Sequence, residues 1–445
     1  MSCQKRLKDT MTSININYHF LLKASMIFLL IGNLARSLSP VIAAIFEFSL
    51  IVLMLFFSII YVVQTKKSIS NNELIYYSFL LYLILHLIAA SIFRPLELQH
   101  SFFDIFYYNL SEFRLSTLGY LLPLIFIPIH HEYKINFEIF LVGLIKFAIF
   151  YTIFEQVFSL LGFRYLFEIS YANSGVVSEN LIGVKSLGMY RVWGLIGSPQ
   201  LLGIFHAMTL VYLLDKKENF WSILCIIAII ASTSKSAYVI LLIYAFIYMI
   251  QKKYYLMLIF SLVSMLIIAI FTISFYTYIM DLRLESDYPK FTKFIGSIYG
   301  YFILLTSIAE ESAPERFITG GSLNSFLLYF IANPENILAG KGITYSLFQD
   351  TSSMVISDYH YLTSDYYLLT FVEQYGLIGF IFALYIFLIY PFAKIFTSDK
   401  LYYAVPIIFF LSMLHYPPNI SKLFMVFMAY SLYKVYLTEG YVDEK

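Results

Sequence analysis

The stretch KKENFWSILCIIAIIASTSKSAYVILLIYAFIYMIQKK, residues 216–253, sets the fold class. Two apolar runs, about 219–233 and 236–250, are separated only by Ser232-Thr-Ser-Lys-Ser-Ala. Lys216 and Lys217 precede the first run, and Lys252 and Lys253 follow the second. Apolar runs of this kind, joined by so short a polar turn, read as a hairpin of two membrane helices. The pattern recurs along the chain. Ten more candidates fall at about 18–35, 40–63, 73–93, 115–130, 137–163, 193–214, 254–275, 366–390, 401–416 and 421–436. Of the 445 residues, 60% are hydrophobic and 13% are charged, and mean hydropathy is +0.77. A soluble domain could not hide that much apolar surface. The expectation is an all-α polytopic integral membrane protein with about 12 transmembrane helices, one bundle over residues 1–445.

Lysines in the short loops set the orientation. Lys5, Lys8, Lys66, Lys67, Lys134, Lys216, Lys217, Lys252, Lys253, Lys394, Lys400 and Lys434 all fall on one side of this threading. That side is expected to be the cytoplasm, with both termini on it. A polar stretch of about ninety residues, Ser274 to Ser364, then lies on the far face between spans 9 and 10. Taken as an inserted loop over 276–365, it is the longest extra-bilayer segment and the expected seat of recognition or chemistry. Net charge is +1, which argues against nucleic acid as a partner. Cys3 falls in the N-terminal tail and Cys225 in a span, so no disulfide framework is implied. The first apolar segment has basic residues before it but no small-x-small site after it, and reads as a retained span.

The arginines run against the lysines. Of Arg6, Arg36, Arg94, Arg114, Arg164, Arg191, Arg283 and Arg316, only Arg6 lies inside. A guanidinium grips phosphate or carboxylate with a planar fork of donors and never loses its charge. An outward set of arginines therefore points to an anionic substrate at the outer boundary. The plainer alternative is pairing with outer acids such as Glu97, Asp104, Glu112, Glu168, Asp281 and Glu285.

Three outer segments hold the candidate site residues. In Arg191-Val-Trp-Gly-Leu-Ile-Gly-Ser-Pro-Gln-Leu-Leu-Gly203, glycines and a proline thin the start of a span. Irregular backbone at membrane depth requires a buried or cavity-lining position, and a helix N-terminus there favours an anion. A glycine packing patch with a kink is the alternative. The second segment is the Ser232–Ala237 turn, whose hydroxyls and Lys235 are placed to meet phosphate or sugar, or simply to cap the hairpin. The third is the long loop, with Arg283, Arg316, Lys341, Asp358, His360 and Asp365. Ser-Asp-Tyr occurs there at 357 and again at 364; seven residues apart on a helix, Asp358 and Asp365 would share a face.

In order and spacing these segments resemble the O-antigen polymerase and ligase superfamily, over roughly residues 185–385. Arg191, Gly194 and Gly197-Ser198-Pro199-Gln200 resemble that family's Arg-x-x-Gly…Pro-Asn segment, with Gln200 for the usual Asn. Thr233-Ser234-Lys235-Ser236 resembles its Gly-Ser-Arg turn, with lysine for arginine. Glu315-Arg316 followed by Ala332-Asn-Pro-Glu-Asn-Ile-Leu-Ala-Gly-Lys-Gly342 resembles an arginine ahead of a Pro-x-x-x-Gly-x-Gly stretch. Ser364-Asp365-Tyr-Tyr-Leu and then Gly376-Leu-Ile-Gly379 resemble the closing motif. Ligases typically carry His-Asn where this chain has Ser364-Asp365, so the resemblance is closer to the polymerases.

The resemblance implies a glycosyltransferase joining oligosaccharide repeat units carried on polyprenyl pyrophosphate, at the periplasmic face of the bacterial inner membrane. It implies a pyrophosphate grip by Arg191 and Arg316, with Lys235 and Arg283 as further cations. Asp365 is the motif-matched general base or else a helix cap, with Asp358 and His360 nearby. No cofactor is expected: the donor is already activated, no nucleotide loop is present, and no carboxylate–His set has metal-ligand spacing. The expected partners are the lipid-linked donor and acceptor, the bilayer and a chain-length regulator protein. An O-antigen ligase acting on lipid A-core and a flippase for the lipid-linked unit are the competing functions. Interior ionisable residues suit a flippase, but related halves are not seen. Lys146, Glu155, His86 and His206 fall within spans, where structural pairing inside the bundle is the expected fate.

Overall fold

The computed structural model of the chain describes residues 52, 54–56, 58–63, 69–98, 118–131, 136–167, 185–186, 189–274, 337–340, 367–398, 400–413 and 422–438. These residues are mostly helical. Three of the described helices, Asn71–Ala90, Phe137–Phe167 and Gln374–Thr397, are long and apolar enough to cross a membrane. Shorter apolar helices pack among them.

The order begins with α1 (Asn71–Leu98). The expected span at 115–130 is broken into α2 (Leu118–Leu121), a tighter turn at Leu122–Ile125 and α3 (Phe126–His131). Pro123 and Pro128 account for the break, since each lacks the N–H that a continuous helix needs. Then come α4 (Phe137–Phe158) with a widened turn at Ser159–Phe163, α5 (Pro199–Asp215), α6 (Asn219–Ala231), α7 (Lys235–Gln251) and α8 (Tyr255–Ser274). The hairpin read from residues 216–253 is thus present as α6 and α7. After the long insertion follow α9 (Tyr367–Leu384), a wide turn at Tyr385–Ile389, α10 (Tyr390–Thr397), α11 (Ala404–Ser412) and α12 (Lys422–Leu432). Among the described residues the helices are accompanied by a minimal antiparallel ladder, β1 (Lys185–Ser186) with β2 (Met189–Tyr190).

Helix α5 is the axis of the bundle. Leu202, Ile204, Ala207, Met208, Val211 and Leu213 are wholly buried on it, and so are the polar His206 and Thr209. A helix covered on all sides sits inside other helices. Here α4, α6, α7 and α11 surround it. Helix α8 is the opposite case, with Leu256 85% and Phe260 75% exposed. Exposed leucine, isoleucine and phenylalanine also line α1, α4 and α6. An apolar outer surface around an apolar interior is stable in lipid and not in water.

Cations and acids at one end tie the helices in pairs. Lys146 Nζ lies 2.9 Å from Glu218, which precedes α6, and 5.5 Å from the Trp221 ring centroid. Lys216, after α5, bonds Glu138 in the first turn of α4 at 2.9 Å. The interior lysine of α4 therefore pairs as expected, with a neighbouring helix rather than along its own.

Candidate functional site

The span expected at 193–214 begins later, at Pro199. Residues 191–198 leave the helix because Gly194 (φ 54°) and Gly197 (φ 83°) take left-handed conformations. Ser198 then caps α5, its hydroxyl accepting the Leu201 N–H at 3.5 Å, and Pro199 occupies the first turn. Gly194 is needed twice over: a Cβ there would collide with Leu202 and lie 3.2 Å from the Thr152 hydroxyl.

Glu155, wholly buried on α4, holds this loop. Its carboxylate accepts the Trp193 N–H at 3.0 Å and the Gly194 N–H at 2.8 Å. It also pairs with Arg164 Nη1 at 3.2 Å. Arg164 spans to the loop through Nη2, which donates to the Arg191 carbonyl at 2.9 Å, and its guanidinium lies 5.5 Å from the Tyr190 ring centroid. Nine residues separate Glu155 from Arg164, too many for a pair on one regular helix face. The widened turn at Ser159–Phe163, with Gly162 at φ 96°, bends the helix and turns Arg164 back. Trp193 fixes the loop from its apolar side, packed with Phe167, Tyr151, Phe154 and Phe158.

The outward arginines now divide. Arg164 is taken by Glu155, a partner outside the acids considered from sequence. Arg191 is half-buried, and among the described residues its guanidinium has no hydrogen bond or ion pair. The loop presents it on a fixed backbone.

The second segment sits beside the first. The turn between α6 and α7 is capped by Ser234, whose hydroxyl accepts the Ala237 N–H at 3.3 Å and lies 3.3 Å from the Gln200 carbonyl. Gly203, closing the quoted Arg191 segment, lets the helices touch: a Cβ there would overlap Ala237, Ser234 and Ser232. Thr233 holds a left-handed backbone (φ 54°), and its buried hydroxyl has no hydrogen-bond partner among the described residues. A left-handed φ at a β-branched residue is strained, and glycine would adopt it without that cost. Lys235 is the first residue of α7; its side chain lies outside the described set.

A second pair of motif pieces meets elsewhere on the bundle. Ile337–Gly340, from the Ala332–Gly342 stretch, lies against α9 where Gly376 (φ 65°) interrupts it. Leu377 N donates to Ile337 O at 2.8 Å, and Ile378 N to Leu338 O at 3.2 Å. Gly340 (φ 73°) and Gly376 face each other so closely that a Cβ on either would strike the other strand's backbone. His86 of α1 bonds the Ala339 carbonyl at 2.6 Å, and Tyr82 donates to the Tyr375 carbonyl at 2.5 Å. His206, the other interior histidine, bonds Thr152 at 2.9 Å and so ties α5 to α4 below the Arg191 loop.

Glu155 and Arg164 were not legible as site-building residues, because only the bend at Gly162 brings them together. Arg283, Arg316, Asp358, His360 and Asp365 lie outside the described residues. No family model, curated protein or solved structure matches this chain.

Proposed function

We propose that the chain is an O-antigen polymerase: a glycosyltransferase that joins polyprenyl-pyrophosphate-linked oligosaccharide repeat units at the periplasmic face of the bacterial inner membrane. In this reading it has about 12 spans, cytoplasmic termini and a periplasmic loop at 276–365. The observation that carries the reading is the Arg191 loop. A guanidinium without a carboxylate partner among the described residues stands on irregular backbone that a buried ion pair holds in place. The matching of two distant motif pieces, Ile337–Gly340 with Gln374–Ile378, adds support.

The acceptor hydroxyl attacks the anomeric carbon of the donor sugar, and the bond from that carbon to the pyrophosphate oxygen breaks. Negative charge grows on the leaving pyrophosphate. A fixed Arg191, with Arg316, stabilises that charge more in the transition state than in the ground state. Lys235 and Arg283 add positive potential. Asp365, with Asp358 and His360 close in sequence, is assigned to take the hydroxyl proton. No cofactor enters this reaction.

The test is deletion in the native host, with surface polysaccharide run on a gel. Loss of the long ladder with a single repeat unit kept supports polymerisation. Loss of every capped band indicates the ligase or flippase reading instead. Arg191→Ala and Arg316→Ala are expected to abolish the ladder at normal protein level, and Lys replacements to rescue poorly. Normal ladders from both alanine variants overturn the pyrophosphate grip. Full chain length from Asp365→Asn removes that residue as the base.

A further inference from the structure

The end of the bundle remote from Arg191 holds a cavity of about 430 Å³ between α3, the start of α4, the end of α12 and the wide turn Tyr433–Leu437 that follows it. It lies at the Glu138 end of α4, seventeen residues from Glu155, or about 25 Å along the helix at 1.5 Å per residue. Its size falls within the range of small-molecule sites. Rings of Phe126, Phe137, Tyr430 and Tyr433 form one part of the lining, and His130, His131, Asn136, Glu138 and Lys434 form the polar part.

The polar groups are mismatched in charge. Among the described residues, the charged groups that act on Lys434 are Glu138, Lys216 and Lys400. That carboxylate is engaged, since Lys216 bonds it at 2.9 Å. Asp215 is also at this end, where it acts on Tyr212, Tyr244 and Tyr402; among these described residues Lys216, Lys400 and Lys434 outnumber Glu138 and Asp215. Lys434 has no ion pair among the described residues; its ammonium lies 5.5 Å from the Tyr430 ring centroid. The same cavity reaches the start of the 22-residue helix α4, where Asn136 makes no side-chain cap and the first-turn N–H groups have no partner within the helix. An anion gains from both features at once.

We propose that this cavity binds a phosphate group through Lys434, the N-terminal N–H groups of α4, the Asn136 amide and the imidazoles of His130 and His131. The aromatic walls cover the organic part of a phosphate ester. The site is separate from the glycosyl-transfer reading and stands or falls without it.

Purified full-length protein in phosphatidylcholine nanodiscs is titrated with inorganic phosphate and, in a second arm, prepared with phosphatidylglycerol added and analysed by native mass spectrometry. Retention of phosphatidylglycerol that phosphate does not displace identifies a lipid headgroup, and saturable phosphate binding without lipid retention identifies a soluble phosphate group. In either arm Lys434→Gln is expected to weaken binding about tenfold, the worth of one charge-assisted hydrogen bond. Lys434→Arg is expected to keep most of it, which separates lost charge from lost fold. Wild-type protein that binds neither probe overturns the proposal, as does equal binding by wild type and a folded Lys434→Gln variant.

Discussion

Replacing Glu155 by Gln tests the loop clamp most directly. The carboxylate is wholly buried, with the Trp193 and Gly194 N–H groups at 3.0 and 2.8 Å and Arg164 at 3.2 Å. Gln keeps the volume but turns one acceptor into a donor, facing either an N–H or the guanidinium. It also leaves Arg164, whose side chain is 7% exposed, without a counter-charge. Removing one member of a buried ion pair costs about 3–5 kcal/mol. The retained amide oxygen still accepts one bond, so the lower end, about 3 kcal/mol, is expected. Arg164→Met should cost a similar amount, because it leaves a buried carboxylate. The double variant leaves neither charge, so it should cost at least about 2 kcal/mol less than the sum. The chain has two tryptophans, Trp193 and Trp221. In a Trp221→Phe background Trp193 alone therefore reports the loop during denaturant unfolding in mixed micelles. Its emission is expected to shift to the red in Glu155→Gln before global unfolding, as it leaves the Phe167 cluster. Additive costs in the cycle, or a Glu155→Gln variant with wild-type stability and emission, would refute the clamp.

Other outcomes follow from backbone geometry. Thr233→Gly relieves a β-branched residue at φ 54° and is expected to raise unfolding stability by about 1 kcal/mol, with a higher melting temperature; a lower one would mean that the hydroxyl has a structural partner. Gly376→Ala places a Cβ against the Leu338 carbonyl at a left-handed φ, and should cost at least about 1–2 kcal/mol and detach Ile337–Gly340. Limited proteolysis within 337–340 reads that detachment, and unchanged cleavage would count against the docking.

Several features were legible in the chain before any coordinates. Apolar runs between lysine pairs gave the α6–α7 hairpin almost to the residue, because an apolar run must close its backbone hydrogen bonds on itself and the short polar turn between the runs allows little else. Gly194, Gly197 and Pro199 marked irregular backbone ahead of α5, since each alters what the main chain can adopt. Lys146 and Glu155 within spans announced ion pairs, because an unpaired charge in that setting is too costly; the Glu155–Arg164 pair is buried and the Lys146–Glu218 pair is partly exposed.

Tertiary structure decided the partners. Glu155 meets Arg164 only because a widened turn at Gly162 bends α4, and no helical spacing rule anticipates a bend. Arg191 and Arg164 look alike in sequence, yet one is locked in a buried pair and the other has none among the described residues. Gly340 and Gly376, thirty-six positions apart, prove to need one another's lack of a side chain, a contact set by packing against α1 and α9. Sequence alone determined which segments must be apolar, helical or broken, because those are local demands of backbone and solvent. Which charges pair, and which guanidinium is left without a pair among the described residues, depends on non-local distances that only the folded bundle defines.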